Sequence, residues 1–376
     1  MNGGRRILYV QYTNPANYPP LQHSSRMLAE DGWQVRFIGS RTSGADLAMQ
    51  AHPSLTLRLL GHVPPGPLQK LHYAAFQALV VTEIMRWRPH WLYASDLWSC
   101  PAALWAARLG CRVVYHEHDE PASQNASIFT RTCLRARSRL ASRAAACILP
   151  NESRRERFAE QHAGAHTITV WNCPQLQEVQ EMRSAESGRG FVLHYHGNIG
   201  APLVPETLLN ALRLLPGDVR LRVFGYETIG SRGYSQHLRL RARNLGIEPR
   251  FELHGPVNRS ALWPEMRRAA VGISLVPLSS TDANLEALAG ASNKTFDYLA
   301  AGLALLICDR KDWTGVFGEF GAACNPGNAQ SVAAALRRLY DDRAGTRARG
   351  EQGRQHVLQE WNYQHQFQPV KALLDG

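Results

Sequence analysis

The sequence predicts an α/β protein of two domains, each built on a parallel sheet. Three observations predict it. Short apolar runs alternate with amphipathic stretches along almost the whole chain, the pattern of strand–helix–strand units. The alternation stops at a polar stretch near the middle, residues 181–190, which lacks apolar periodicity and holds two glycines, and then restarts. The length, 376 residues, exceeds what one domain of ordinary size holds.

The elements follow in order. Strand candidates of the first half are 7–10, 35–39, 55–60, 91–94, 113–116, 147–150 and 168–171, with helical patterns between most of them, such as 68–87 and 101–109. After the polar stretch, strand candidates are 191–195, 221–224, 251–253, 271–276 and 303–308, and helices are expected over 205–214, 236–245, 260–269, 293–301 and 329–340. The boundaries predicted are 1–187 for the first domain, 188–360 for the second, and a closing helix in 361–376 that packs back on the first. Ligands of such sheets bind at the carboxyl ends of the strands, here expected to face a cleft.

Composition narrows the function classes. A hydrophobic fraction of 44% with 19% charged residues excludes a disordered or fibrous chain. No apolar run approaches the roughly 18 to 20 residues of a spanning helix, and the apolar run after the first six residues is too short for the core of a signal peptide. Seven cysteines without a CxxC pair predict reduced, buried thiols in a cytoplasmic protein, not a disulfide frame or a zinc knuckle. The net charge is +11, carried by 38 arginines and 4 lysines against 31 acids. It favours an anionic partner without choosing among nucleic acid, lipid and phosphorylated small molecules.

The strongest local signal is the stretch 291–309, ASNKTFDYLAAGLALLICD. It reads as a loop, a short helix opened at Ser292 or Asn293, a stop at Gly302 and a buried strand. The first N–H groups of such a helix favour an anion. Lys294, in the first turn, stands where the helix dipole disfavours a cation, a mismatch that a bound diphosphate explains. Asp297, three residues on and on the same face, can accept the two hydroxyls of a ribose. The plain alternative is an i,i+3 Lys–Asp pair on a solvated helix. Gly197-Asn198-Ile199-Gly200 follows a strand and could bring backbone N–H groups to a phosphate or form an ordinary turn. No GxGxxG follows the first strand, where Gln11-Tyr-Thr-Asn14-Pro15 stands, so a nicotinamide enzyme is not expected.

The stretch 293–309 resembles the signature of two-domain glycosyltransferases of the GT-B fold, especially the family 4 group of bacterial sugar transferases. Other stretches match in order, namely His116-Glu117-His118-Asp119, Pro150-Asn151, Gly197–Gly200, Gly255-Pro-Val257 and Val276-Pro-Leu278. The resemblance implies a metal-independent enzyme with two Rossmann-like domains. It would move a sugar from a UDP- or GDP-sugar to a hydroxyl acceptor with retention of anomeric configuration. It implies donor binding by Gly197, Asn198, Gly200, Gly255, Val257, Ser292, Asn293, Lys294 and Asp297, sugar contact by His118 and Asp119, and an acceptor side at Asn14, Tyr18 and Asp96. The co-substrate would be the nucleotide sugar, with no metal and no other cofactor. The chain departs from the family where Ala289 replaces the first acid of its Glu-x7-Glu pattern, and where no Arg or Lys follows the first strand of the second domain. In that respect the site is similar to xanthan-type glucuronosyltransferases. The rival readings are a nucleotide-sugar 2-epimerase and a non-catalytic binding protein.

Two segments keep alternatives. In 116–119 the histidines fall on one strand face and the acids on the other; a metal site, a structural role and a sugar contact compete, and in an inverting mechanism Asp119 or Glu117 would be the base. Residues 129–146 carry Arg131, Arg135, Arg137, Arg139 and Arg143 and no acid. With Phe129, Leu134 and Leu140 they form either a helix lying on the anionic inner face of a membrane or a solvated basic face. No recognition motif accompanies the charge, so nucleic acid is not an expected partner.

Overall fold

The computed structural model describes residues 5–42, 48–121, 127–179 and 190–376; the expected linker 181–190 lies outside them apart from Gly190. The chain forms two units, one made of Met1–Asn172 with Tyr363–Gly376, the other of Cys173–Asn362.

The first unit is a seven-stranded sheet, every neighbour parallel. Its strands are β1 (Arg6–Val10), β2 (Gln34–Ser40), β3 (Leu55–Leu60), β4 (Trp91–Ser95), β5 (Arg112–His116), β6 (Ala146–Leu149) and β7 (Thr167–Thr169). They lie in the order β3-β2-β1-β4-β5-β6-β7. The order reverses between β1 and β4, which makes their carboxyl ends a topological switch point. Both faces are covered, which is why the strands read as continuous apolar runs. Leu8, Val10, Leu92, Ala94 and Tyr115 pack against Phe76, Val80, Ala103 and Leu140. Alternate residues Ile7, Tyr9, Trp91, Tyr93 and Val114 pack against Leu21 and Leu28, and against Tyr363, Phe367, Val370 and Leu374 of the closing segment.

The second unit repeats the plan with six parallel strands. They are β8 (Phe191–Asn198), β9 (Val219–Tyr226), β10 (Phe251–His254), β11 (Val271–Ser274), β12 (Ala304–Cys308) and β13 (Gly321–Cys324), ordered β10-β9-β8-β11-β12-β13. The switch point here lies between β8 and β11. Strand β13 was not expected: its sequence, GAAC, has no branched or aromatic residue and is strand only because β12 pairs with it from Leu305↔Gly321 to Cys308↔Cys324. Strand β8 also runs further than expected. Gly197 and Asn198 are still paired with Gly225 and Tyr226 of β9, so the glycine loop begins inside the sheet. Among the described residues no helix is long and apolar enough to cross a membrane.

Candidate functional site

In the second unit the site begins at the helix Asn293–Ala300. Ser292 takes the N-cap position in extended conformation, without a side-chain capping bond, and Gly302 ends the helix in the left-handed region at φ 76°. The helix seats closely on β11 because Gly272 has no side chain there; a Cβ would strike the ring of Tyr298. Tyr298 in turn accepts the backbone N–H of His196 at 3.0 Å, which fixes the helix beside the end of β8.

Lys294 is carried to that end. Its Nζ donates to Tyr195 Oη at 3.3 Å and stands 4.8 Å from the centre of the Tyr195 ring. The backbone of Gly197, at φ 124°, passes directly beneath it, with Cε and Nζ 3.6 and 3.7 Å from where a Cβ would stand. Burial pushes the ammonium down to about 8, and among the described residues Lys294 has no ion-pair partner. Asn198 adds a buried side-chain amide oxygen without a hydrogen-bond partner, while its backbone carbonyl accepts from Tyr195 Oη. Gly200 is buried and its carbonyl accepts the N–H groups of Leu203 and Val204, whereas Gly255 and Val257 lie exposed beyond β10.

Asp297 is held from across the fold: Arg259 donates to both of its oxygens, at 2.7 Å to Oδ2 and 2.6 Å to Oδ1, so a ribose would share the carboxylate with the guanidinium. His196 Nε2 lies 3.4 Å from Oδ2, and Asp297 is 1% exposed. The guanidinium holds this carboxyl below its usual range despite burial. The same guanidinium binds Glu178 at 2.6 Å. Arg259 escaped the sequence reading; its signal was a cation at the first position of a helix (Arg259–Arg267), the dipole mismatch that marked Lys294.

In the first unit the ends of β1, β4 and β5 bring together Gln11, Ser95, Asp96 and His118. Asp96 has φ 59° and ψ 175°, a region that side chains avoid at a cost of about 1–3 kcal/mol and that clusters at functional sites. Its carboxylate accepts the His118 N–H at 2.9 Å and the Gln11 amide at 3.2 Å, and burial pushes it up to about 6. His118 Nε2 lies 3.1 Å from Ser95 Oγ and the ring packs 5.1 Å from Tyr18; burial pushes it down to about 4. Asp119 is exposed, 3.8 Å from Arg154. Asn14 is buried and caps a short turn through the Ala16 N–H.

Glu117 is not available as a base. Arg137 donates to both of its oxygens, at 2.8 Å to Oε1, and Tyr115 Oη donates at 2.7 Å. This buried pair also removes Arg137 from the basic surface expected for 129–146. In the helix Ile128–Ala141, Leu140 is in the core and Phe129 packs on Tyr73 and Trp98, so its apolar side faces the protein. Arg131, Arg135 and Arg139, four residues apart, stay exposed. Among the described residues no group of three or more His, Cys, Asp and Glu is placed to hold a metal ion.

Comparison with known proteins agrees with this architecture. A family model described as a Glycosyl transferase 4-like domain matches residues 21–173, and one described as Glycosyl transferase-like matches 204–372. Similar solved structures include HepE from Anabaena in complex with UDP and glucose, at 16% identity over 99% of each chain with a TM-score of 0.74. Sucrose-phosphate synthase from Thermosynechococcus elongatus is similar at 15% identity over 99% of this chain and 98% of that one, TM-score 0.71. A glycosyltransferase from Rickettsia africae is similar at 10% identity over 99% and 98%, TM-score 0.73. No curated protein sequence matches. The likeness to these structures places the chain in the GT-B fold class. With a glycosyltransferase domain matched in each half, the chain is a GT-B glycosyltransferase.

Proposed function

We propose that the enzyme transfers a sugar from a UDP- or GDP-sugar to a hydroxyl acceptor, with the second unit binding the nucleoside diphosphate and the first supplying His118 to the sugar. The observation that carries this reading is Lys294, an ammonium without a carboxylate partner held beside Tyr195 and the positive-φ backbone of Gly197. A desolvated cation is costly to keep unpaired, so its placement suits an anion that arrives with the substrate. As the bond from the anomeric carbon to the diphosphate breaks, charge grows on the departing oxygen; Lys294 and the N–H groups of Ser292 and Asn293 would stabilise it, with Gly197 and Gly200 letting the backbone come close. HepE, solved with UDP and glucose, supports the uridine nucleotide as the first donor to try.

His118, neutral at physiological pH and oriented by Ser95 and by the backbone bond to Asp96, would contact the transferring sugar as a hydrogen-bonding group, with Asp119 orienting a neighbouring hydroxyl. Tyr18 and Asp96 would shape the acceptor side, with Asn14 holding the loop between. Retention suits this arrangement, because it asks for no separate ionised base and Glu117 is already paired. The test is the anomeric configuration of the product, read from its proton–carbon coupling. Retention is expected, with turnover lost in His118→Ala at unchanged nucleotide affinity. Inversion, with turnover lost in Asp119→Asn, would replace this mechanism by one with Asp119 as base.

The exposed row Arg131, Arg135 and Arg139 supports a setting for the acceptor: we read it as a contact with an anionic membrane surface, where lipid-linked acceptors reside.

A further inference from the structure

The site reading leaves one buried charge without a role. Lys294 and Asp297 are three residues apart on one helix face, the spacing at which an ion pair forms by default. They do not pair. Lys294 Nζ goes to Tyr195, and Asp297 goes to Arg259, which arrives from the start of the helix Arg259–Arg267 and covers both carboxylate oxygens.

We propose that Arg259 is a positioning residue for the donor diphosphate: by taking Asp297 it leaves the Lys294 ammonium to the ligand and screens a carboxylate that would otherwise repel it. The proposal rests on the donor reading above. Asp297 is almost fully buried, so water does little to screen its charge from an anion bound at the same helix. A monodentate cation would not saturate it. A guanidinium does, because its planar fork matches a carboxylate with two parallel bonds. Arg259 is itself held from the other side by Glu178, at 2.6 and 3.2 Å, and its guanidinium lies 5.4 Å from the centre of the Trp263 ring. It therefore cannot swing toward the phosphates, and its role runs through Asp297 and Lys294.

The test uses the full chain and calorimetric titration with UDP and uridine, or GDP and guanosine. Arg259→Met frees Asp297 to capture Lys294 and should weaken the diphosphate between about 10- and 100-fold, the scale of one charge-assisted contact. Nucleoside affinity should move by less than about threefold, well under one such contact. The double variant Arg259→Met/Asp297→Asn has no carboxylate left on the lysine's own helix face to capture it and should recover diphosphate affinity. Arg259→Lys keeps the charge and should lose less than Arg259→Met. Equal losses for diphosphate and nucleoside, or no recovery in the double variant, would overturn the proposal. Should Arg259→Met not fold, Asp297→Asn alone decides: retained diphosphate affinity supports the screening role, while a loss shared by UDP and uridine makes Asp297 a ribose ligand instead. A wild-type chain that binds neither UDP nor GDP removes the donor reading, and this inference with it.

Discussion

Two residues carry the sharpest consequences for chemistry. Lys294→Ala removes one charge-assisted contact, worth about 1.5–3 kcal/mol, and should weaken a nucleoside diphosphate by about 10- to 150-fold while sparing the nucleoside. Calorimetry with both ligands checks it, and an unchanged diphosphate affinity would move the site elsewhere. Asp96 governs the other unit. Its folded carboxyl is raised to about 6, so the ionised form that accepts the His118 and Gln11 N–H groups is lost as pH falls through that value. The rate should therefore fall on the acid side with an apparent pKa near 6, and Asp96→Asn should lower the plateau and abolish that limb. The sign for stability is opposite. A raised carboxyl pKa means ionisation disfavours the fold, so this residue's contribution declines as pH rises from the ordinary carboxylate value toward 6. A pH–rate profile beside a pH–melting profile separates the two.

At the scale of elements, the helix Ile128–Ala141 presents exposed arginines in a row at 131, 135 and 139. Its buried side is occupied by Cys133, Ala136, Arg137 and Leu140, so attraction to a membrane here is electrostatic and not insertion. Each basic residue near an anionic surface contributes about 1 kcal/mol. Replacing the three with Gln should thus reduce binding to anionic vesicles by about two orders of magnitude and leave nucleotide affinity intact. High salt should release the wild type as well. Equal flotation with neutral and anionic vesicles would sink the membrane contact.

For the whole molecule, the closing segment is structural. Tyr363, Phe367, Val370 and Leu374 sit in the core of the first unit beside Tyr9, Trp91, Tyr93 and Val114, and Trp91 Nε1 donates to the Leu374 carbonyl at 3.1 Å. Burying a large apolar side chain contributes about 1.5–3 kcal/mol, so four such residues contribute on the order of a domain's whole net stability. Removing 363–376 should abolish the thermal transition of the first unit while that of Cys173–Asn362 persists, as read by calorimetry or limited proteolysis. An unchanged melting profile would contradict this role for the segment.

The sequence by itself determined the architecture and the lysine helix. Strands buried on both faces must be continuously apolar, and a helix that opens on a cation and closes on glycine is a local pattern, so Ile7–Val10, Ala304–Cys308, Lys294 and Gly302 were all legible from neighbours along the chain. Only the tertiary structure decided who pairs with whom. Asp297 looked like a free carboxylate because its partner is 38 residues away in sequence, and Glu117, just past β5, looked like a possible base because Arg137 reaches it from the helix Ile128–Ala141. Strand β13 became a strand through the edge of β12 and not through its own small residues. Burial and pairing depend on what the fold brings across space, and a local pattern carries no record of it.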